Sequence, residues 1–268
     1  MTFSDSLVMV QTYYTGEKEI LNNYRYSLSP LKDLMAQCVF NPHNIKKLTD
    51  YIEPSIAPNY QDEIYAIFSI AGYEYNKSFV LYKDSLLFVD ILPNQIVQEL
   101  LRIHLNLDSE TYIQTIQSFF KKKIKIVPIA TTHSSLLPIG SNTNKHTIWI
   151  NAGRVAKIKE KRFQSIVTFD NGFQLSVDRV ELRIQELMKR GFLSHGVVKR
   201  DFTFNAIHPT THLFDFLNVS STDITRKVLK DLLYRDIPDE HGDFLARYKK
   251  NHRSIQRKLF FKELNMEE

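Results

Sequence analysis

Ser165-Ile-Val-Thr-Phe-Asp-Asn-Gly-Phe-Gln-Leu-Ser-Val177 is the stretch that decides the fold of this chain, because it predicts a β-hairpin. Runs of β-branched and aromatic residues on both sides of Asn-Gly are a strong signal for two paired strands. A two-residue turn would put Leu175 on the face of Ile166, whereas a three-residue loop with a left-handed Gly172 would pair Leu175 with Val167. The second register brings more apolar surface together. We therefore predict the three-residue loop.

Further short strands are predicted before this hairpin, because β-branched and aromatic runs alternate there with turn residues. They cover residues 64–70, 78–90, 128–138, 147–150 and 155–158. Trp149 lies in one of these runs and is predicted to be a core residue, since an indole at the centre of a strand normally buries its area. Asn151 is interpreted as a turn residue in the tight corner that follows.

Helices are predicted where apolar residues recur at helical spacing. They begin at Pro93, after Ser109 and at Asp178, and others cover residues 210–218, 223–236 and 244–264. In the third helix Asp178 and Glu181 form a capping-box pattern, and Gly191 after two basic residues predicts its end. The stretch from residue 195 to residue 209 is interpreted as extended.

Together these elements predict an α+β fold, with a β-rich antiparallel-sheet core and helical N- and C-terminal extensions. Glu53-Pro-Ser-Ile-Ala-Pro58 interrupts the first helical pattern and is the expected boundary of the core. We expect a helical extension over residues 1–60, the β-rich core over 61–200, and an aromatic segment with a helical basic tail over 201–268. Cys38 lies on an apolar helix face and is predicted to be buried.

Positive charge is concentrated in one part of the chain. Residues 121–200 hold 16 Lys and Arg against 5 Asp and Glu, whereas the rest of the chain holds 19 against 25. The local balance is thus +11 within a total of +5. Such asymmetry is typical of proteins that bind nucleic acid. The stripe of arginines on the helix after Asp178 and the basic tail are each compatible with either a solvated face or a binding surface.

Several kinds of chemistry lack support in the sequence. A single cysteine excludes a disulfide framework, the histidines lack zinc-ligand spacing, and no phosphate-cradling glycine loop occurs. His133-Ser-Ser135 has neither a Gly-x-Ser-x-Gly motif nor a partnered acid. We therefore expect no enzyme, no metal and no cofactor. No apolar run is long enough to span a membrane, and Met1-Thr-Phe-Ser4 lacks secretory features, so a cytoplasmic protein is expected.

The order of several short motifs resembles the competence transcription factor ComK family. The matching segments are Phe88-Val-Asp-Ile-Leu-Pro-Asn-Gln-Ile-Val97, Leu136-Leu-Pro138, Thr147-Ile-Trp-Ile150 with Val155, and Val167-Thr-Phe-Asp-Asn-Gly172. Lys199-Arg-Asp-Phe-Thr-Phe-Asn-Ala-Ile-His-Pro209 falls where that family has an aromatic segment ending in proline. The resemblance spans about residues 62–218.

A second resemblance involves Lys145-His-Thr-Ile-Trp-Ile-Asn-Ala-Gly-Arg-Val155 and Leu175-Ser-Val-Asp-Arg-Val180, which are similar to LytTR-type DNA-binding domains. Lys145, His146 and Thr147 fall on that family's polar or basic triplet before a strand. Arg179 lies one place past the family's last basic position, which is Asp178 here. Both resemblances imply a β-rich, DNA-binding transcription regulator.

The ComK resemblance implies a bacterial transcription activator of competence, the state of DNA uptake, that binds AT-rich promoter boxes as an oligomer. It also implies RNA polymerase and a Clp-protease adaptor as partners, the adaptor docking on the aromatic segment through Phe202, Phe204, Ile207 and Pro209. ComK-like proteins suggest minor-groove binding and LytTR-like proteins suggest major-groove binding, and both stay open.

Charge and resemblance together name the expected DNA contacts. They are Lys121, Lys122, Lys123, Lys125, His133, Asn144, Lys145, His146, Thr147, Arg154, Lys157, Arg179 and Arg183. The triplet Lys121–Lys123 could equally compensate a helix C-terminal dipole. Two alternatives to a regulator are a metal-dependent nuclease or other nucleic-acid-processing protein, and a basic module that binds an acidic protein.

Overall fold

The protein folds around two β-sheets that pack against each other and against helices. The computed structural model describes residues 39–40, 54–55, 57–69, 77–121, 124–142, 144, 147–203 and 207–264. Within these ranges the strands are β1 Pro54–Ser55, β2 Ala66–Ser69, β3 Ser78–Leu81, β4 Leu86–Val89, β5 Ile129–Ala130, β6 Ser135–Pro138, β7 Trp149–Asn151, β8 Val155–Lys161, β9 Gln164–Phe169 and β10 Gln174–Val177. The helices are α1 Pro93–Leu105, α2 Ser109–Gln117, α3 Glu181–Asp201, α4 Leu213–Leu217, α5 Asp223–Leu229 and α6 Asp243–Leu264.

The larger sheet has seven strands in the order β1-β4-β3-β2-β7-β6-β5. All neighbours are antiparallel except the short β1, which pairs in parallel with β4. Every residue of β2, β3 and β4 is buried. Burial on both faces explains why these strands are almost continuously apolar instead of alternating.

The smaller sheet is the hairpin β9–β10 with β8 along its other edge. Leu175 pairs with Val167, and the amide of Phe169 donates to the carbonyl of Phe173 at 2.9 Å. Gly172 has φ +91°, so it lies in the left-handed region, as the three-residue loop requires. The predicted register is confirmed.

Aromatic rings join the two sheets. The ring centroid of Phe173 lies 6.1 Å from that of Phe68 in β2, and Phe169 lies 6.2 Å from Tyr65. Phe40 stacks on Phe173 at 4.9 Å, and its backbone bonds to Gln174 and Ser176 of β10. The inner face of the smaller sheet is therefore core, and its outer face is left for solvent or a partner.

Helix α3 differs from the prediction at both ends. It begins at Glu181 after Val180, and Asp178 accepts a hydrogen bond from Gln164 instead of capping the helix. It also continues past Gly191 to Asp201, so the extended segment predicted from residue 195 is wrong up to that point. Packing of the helix against β5 and β6 stabilises it beyond the local stop signal, since tertiary contacts override weak local preferences.

The C-terminal helix α6 is part of the fold along its first half. Phe244 contacts Tyr112 of α2 at 5.9 Å between ring centroids, and the amide of Asn251 donates to Thr115 at 3.0 Å. The predicted helices from Pro93, after Ser109 and over the basic tail are confirmed. Residues after Arg253 are mostly exposed, including the apolar side chains of Leu259, Phe260 and Phe261.

Both predicted segment boundaries fall within or next to a regular element of secondary structure. The boundary expected after residue 200 falls inside α3, and Pro54–Ser55, within the expected break, forms β1. Most of residues 1–60, including Cys38 and the predicted helices there, lie outside the described residues. Helices and mainly antiparallel sheets in one chain give an α+β fold.

Candidate nucleic-acid interface

A row of lysines lies on the outer face of the smaller sheet. Side chains alternate between the two faces of a strand, so Lys157, Lys159 and Lys161 of β8 share one face. All three are exposed, whereas Ile158 on the other face is only 7% exposed. At about 3.3 Å per residue the row is roughly 13 Å long.

The rest of this face is mostly polar. Across the ladder, Lys157 pairs with Thr168, Lys159 with Ile166 and Lys161 with Gln164. Residues that continue the same rows on β10 are Gln174 and Ser176. The face therefore combines a cationic edge with hydroxyl and amide groups, which can donate to phosphate oxygens and can donate to or accept from base edges. We call Lys157, Lys159, Lys161, Gln164, Ile166, Thr168, Gln174 and Ser176 the β8 face.

Asp178 and Arg179 connect the β8 face to a neighbouring loop. Gln164 donates to a carboxylate oxygen of Asp178 at 2.7 Å, at the end of β10. The next residue, Arg179, is half-buried and donates from Nε to the carbonyl of Ile139 at 3.5 Å, the outer limit of a hydrogen bond. Ile139 leads from β6 into the loop of residues 140–147, so that loop lies beside the β10 end of the smaller sheet.

Asparagines fix the described residues of the loop between β6 and β7. Asn142 exchanges two hydrogen bonds of 2.8 Å with the backbone of Val127, and Asn94 donates to the carbonyls of Asn142 and Asn144 at 2.9 Å. These bonds set the loop beside the segment that carries Lys125. Of the predicted contacts near it, Lys121, Lys125 and Asn144 are exposed. Lys122, Lys123, Lys145 and His146 lie outside the described residues.

Thr147 has a structural position. Its side chain is only 2% exposed, and its hydroxyl donates to the carbonyl of Ser141 at 2.5 Å. A Cβ placed on Gly140 would lie 3.0 Å from the same hydroxyl, so the loop is tightly closed there. Thr147 therefore fixes the loop and does not face a ligand.

The charge of Arg154 is paired with carboxylates of the protein itself. Its guanidinium forms an ion pair with Glu63, donates to Ser220, and lies 3.5 Å from a carboxylate oxygen of Asp170. The hydrogen bond to Glu63 raises the pKa of Arg154, the reverse of what a free cation on a basic surface would show. We therefore leave Arg154 out of the interface, although its sequence position suggested a DNA contact.

His133 is also separated from the β8 face. It is exposed in the turn before β6, whereas the loop of residues 140–147 leaves the opposite end of that strand. The cavity beside His133, about 260 Å³, is lined by Glu63, Arg154 and Lys199 among others. A neighbouring cleft of about 660 Å³ carries Asp62, Glu63, Asp84 and Asp170. This region is rich in carboxylates and is unsuited to a phosphate backbone.

Arg183 lies on the exposed side of α3, near its start. It donates to Glu186 at 2.8 Å, one turn further along, and both side chains are well exposed. An exposed pair of this kind contributes little to stability and is easily exchanged for another partner. Arg183 thus remains available to a partner, but the structure gives it no special position.

The segment predicted to bind an adaptor is only partly accessible. Phe202 follows the last turn of α3 and packs half-buried against the core, as does Ile207. Pro209 is exposed, and its carbonyl accepts a hydrogen bond of 3.2 Å from the amide of Arg235. Phe204 lies outside the described residues.

Sequence reasoning included Lys157 but missed Lys159, Lys161, Arg162 and Phe163. A signal was present, because Lys157, Lys159 and Lys161 recur with the period of two that places strand residues on one face. The ion pairs of Arg154 gave no such signal, since Glu63 is 91 residues away along the chain. Only the fold brings those two side chains together.

Within the part of the chain that the structure describes, no group of three or more His, Cys, Asp or Glu is arranged to hold a metal ion. Over the same residues, none of the helices combines the length and apolar character that crossing a bilayer requires. No protein-family model, curated protein or solved structure matches this chain.

Proposed function

We propose that this protein binds double-stranded DNA through the β8 face and acts as a transcription regulator. The observation that carries the proposal is the row of three exposed lysines on one face of a regular antiparallel sheet, with polar residues beside it. Antiparallel strands are a known means of presenting side chains to a DNA groove. Because the strands are already fixed, binding a partner orders only the lysine side chains and not the backbone that carries them.

The dimensions of the row suit a phosphate backbone. Each strand of B-DNA carries a charge about every 3.4 Å along the axis, so a row of roughly 13 Å runs past about four phosphates. Arg179 and the exposed Lys125 extend the positive potential beyond the end of the sheet. Released counterions, and not buried apolar area, would supply most of the free energy of such binding.

Three other cations of the basic region contact groups within the protein and are not available to DNA. Arg154 is paired with acids, Arg200 is bonded to backbone carbonyls, and Lys199 lies 5.5 Å from the ring centroid of Phe216. These three belong to the basic region of the sequence but serve the fold. Among the described residues of this region, the β8 face is therefore the main concentration of exposed lysines.

The finer identity rests on the resemblance to the ComK family. It supports an activator of the competence type that recognises AT-rich promoter boxes, assembles as an oligomer on DNA, and contacts RNA polymerase. Control by a Clp-protease adaptor at Phe202, Ile207 and Pro209 is part of the same proposal. These features would be tested after DNA binding itself.

The decisive experiment titrates the protein with an AT-rich duplex and with a scrambled duplex at several salt concentrations. The wild-type protein should bind both with a steep salt dependence and prefer the AT-rich duplex. The triple variant K157Q/K159Q/K161Q should bind more weakly, and the slope of log K against log salt should fall by about 3, near 0.9 per lost phosphate contact. Glutamine keeps the length and polarity of the side chain without its charge.

A second triple variant, K83Q/K230Q/K250Q, controls for net charge. These lysines are exposed at three separate places and lose the same total charge. Binding by the control variant should stay close to that of the wild type. Equal weakening by both triple variants would show that total charge, and not the β8 face, governs binding.

The same titration separates the two other classes. Cleavage of the duplex in the presence of Mg²⁺ would favour a nuclease. Failure of the wild-type protein to bind any duplex at low salt would rule out the proposal and leave a module for acidic protein partners.

A further inference from the structure

The tip of the β8–β9 hairpin exposes an aromatic ring. The ladder ends at the pair Lys161 and Gln164, so Arg162 and Phe163 alone form the turn. Phe163 is 87% exposed, more than any other large apolar side chain among the described residues. An isolated exposed apolar residue is common, but a phenylalanine displayed at the end of a rigid hairpin is well placed for contact with a partner.

Arg162 has a left-handed backbone conformation, which is unusual for arginine in a turn. Its φ is +58°, in the left-handed region that glycine, asparagine and aspartate tolerate best. Replacing arginine by one of these would relieve strain. The chain instead keeps a long cationic side chain at the tip, and strained backbone of this kind is concentrated at functional sites.

The charges around the tip favour an anionic partner. Lys159, Lys161 and Arg162 are exposed cations next to Phe163. Glu160 lies on the other face of the strand, where its carboxylate accepts a hydrogen bond of 3.2 Å from the amide of Glu181. Asp178 on the near side is engaged by Gln164 at 2.7 Å.

We propose that Phe163 inserts between adjacent base pairs of the duplex that lies on the β8 face, and that Arg162 anchors the tip on the flanking phosphates. This inference rests on the proposed function and names its mode: insertion from the minor groove with a local kink. Apolar side chains that partly unstack a base step act in this way in minor-groove proteins, where cations on either side hold the backbone.

An anionic membrane surface is the other partner that a basic aromatic tip could meet. Stable attachment to a bilayer needs a broad apolar face or two anchoring signals. The tip offers one phenylalanine, and the residue after it is the polar Gln164. A duplex suits the site better because it needs only one wedge, together with cations spaced along a line.

The test compares the wild-type protein with F163A and F163L on an AT-rich duplex. The duplex carries a fluorescent base analogue, which reports unstacking, and a dye pair at its ends, which reports bending. Wild-type binding should increase both signals. F163A should bind about 10- to 100-fold more weakly, lose both signals, and keep the salt slope of the wild type, since the lysines are unchanged. F163L, which keeps an apolar wedge, should retain part of both signals.

Arg162→Asn adds an independent readout. Asparagine tolerates the left-handed conformation, so the midpoint of thermal unfolding should stay the same or rise, while DNA affinity falls. A purely structural role for Arg162 would give the opposite result. Because Phe163 is exposed, the F163A variant should unfold at the wild-type temperature, which separates loss of function from loss of fold.

The outcomes distinguish the two proposals. Unstacking and bending by F163A at wild-type levels would overturn the wedge and leave DNA binding by the β8 face intact. Absence of duplex binding by the wild-type protein would overturn both. Phe163-dependent sedimentation with phosphatidylserine–phosphatidylcholine vesicles, without any base unstacking, would assign the tip to a membrane and also overturn the wedge.

Discussion

Gly191 of α3 lies directly against Leu137 of β6. A Cβ added to Gly191 would be 2.4 Å from Cδ2 of Leu137 and 2.9 Å from the hydroxyl of Ser135. The glycine therefore permits close contact between helix and sheet, although its position after two basic residues suggested a helix end. Gly196, further along the same helix, would meet Ile237 at 2.9 Å in the same way. Close packing of α3 against β6 and against Ile237 therefore requires glycine at these two positions.

We expect Gly191→Ala to destabilise the protein by about 1–2 kcal/mol, because overpacking a core outweighs the roughly 1 kcal/mol that alanine gains in a helix. Urea denaturation measures the change in the free energy of unfolding. The double variant G191A/L137A should lose less than the sum of its single substitutions, since the smaller residue at 137 makes room. Strict additivity, or a more stable G191A, would mean that the helix does not approach the sheet so closely.

The hairpin loop gives a prediction about backbone strain alone. Gly172 has φ +91°, and a Cβ added there would have no neighbour within 4 Å. Gly172→Val should therefore destabilise the protein by about 1–2 kcal/mol through strain, without any clash. Gly172→Asn should lose less, because asparagine tolerates the left-handed region. Thermal unfolding of the two variants would decide the matter, and equal loss in both would contradict a conformational cause.

Arg200 is predicted to be irreplaceable by lysine. It is only 5% exposed, and its guanidinium donates at 2.8 Å to the carbonyls of Pro238, Asp239 and Glu240. A lysine cannot present the same planar fork, so buried carbonyls would lose their partners. We expect Arg200→Lys to reduce the free energy of unfolding by about 3 kcal/mol. Arg183→Lys, an exposed counterpart on the same helix, should change it by less than about 0.5 kcal/mol.

His195 should make stability depend on pH. Burial in α3 lowers the pKa of His195 to about 4, and the charges of Lys199 and His133 act in the same direction, while the Thr132 carbonyl opposes them. In the unfolded chain the pKa is about 6.5, so between these values the unfolded state binds more protons. Stability should therefore fall as pH drops from about 6.5 towards 4, by up to roughly 3 kcal/mol from this group.

Denaturation at several pH values tests this contribution by comparing the wild type with His195→Leu. The variant should show a shallower loss of stability over that window, whatever its stability at neutral pH. Parallel curves for the two proteins would show that His195 is not the group responsible. All other ionisable groups are common to the two proteins, so the difference between the curves isolates His195.

Local patterns were sufficient for much of the fold. The register of the β9–β10 loop followed from one left-handed glycine and from matching Val167 with Leu175, because a slip by one residue would reverse both faces. The helices beginning at Pro93 and after Ser109 followed from helical spacing of apolar residues. These features depend on neighbours in sequence or on a single hairpin, so the sequence carries their signal.

Local patterns failed where distant residues compete. Gly191 was expected to end α3, but the helix continues because it packs closely against the larger sheet. Arg154 was expected to contact DNA, but it forms ion pairs with Glu63 and Asp170 and a hydrogen bond with Ser220. A glycine or an arginine has the same local signature whether it ends a helix, packs against a strand, faces solvent or completes an ion pair. Contacts across 50 or more residues decide among these roles.

By itself, the sequence determined the α+β class, the hairpin and the concentration of positive charge between residues 121 and 200. The tertiary structure alone decided which of those cations remain exposed. Alternation along β8 sets three lysines on an outer face. Arg154, Lys199 and Arg200 instead form ion pairs or hydrogen bonds with groups of the protein itself. The physical reason is that composition sets the amount of charge, whereas burial and pairing set how much of it a partner can meet.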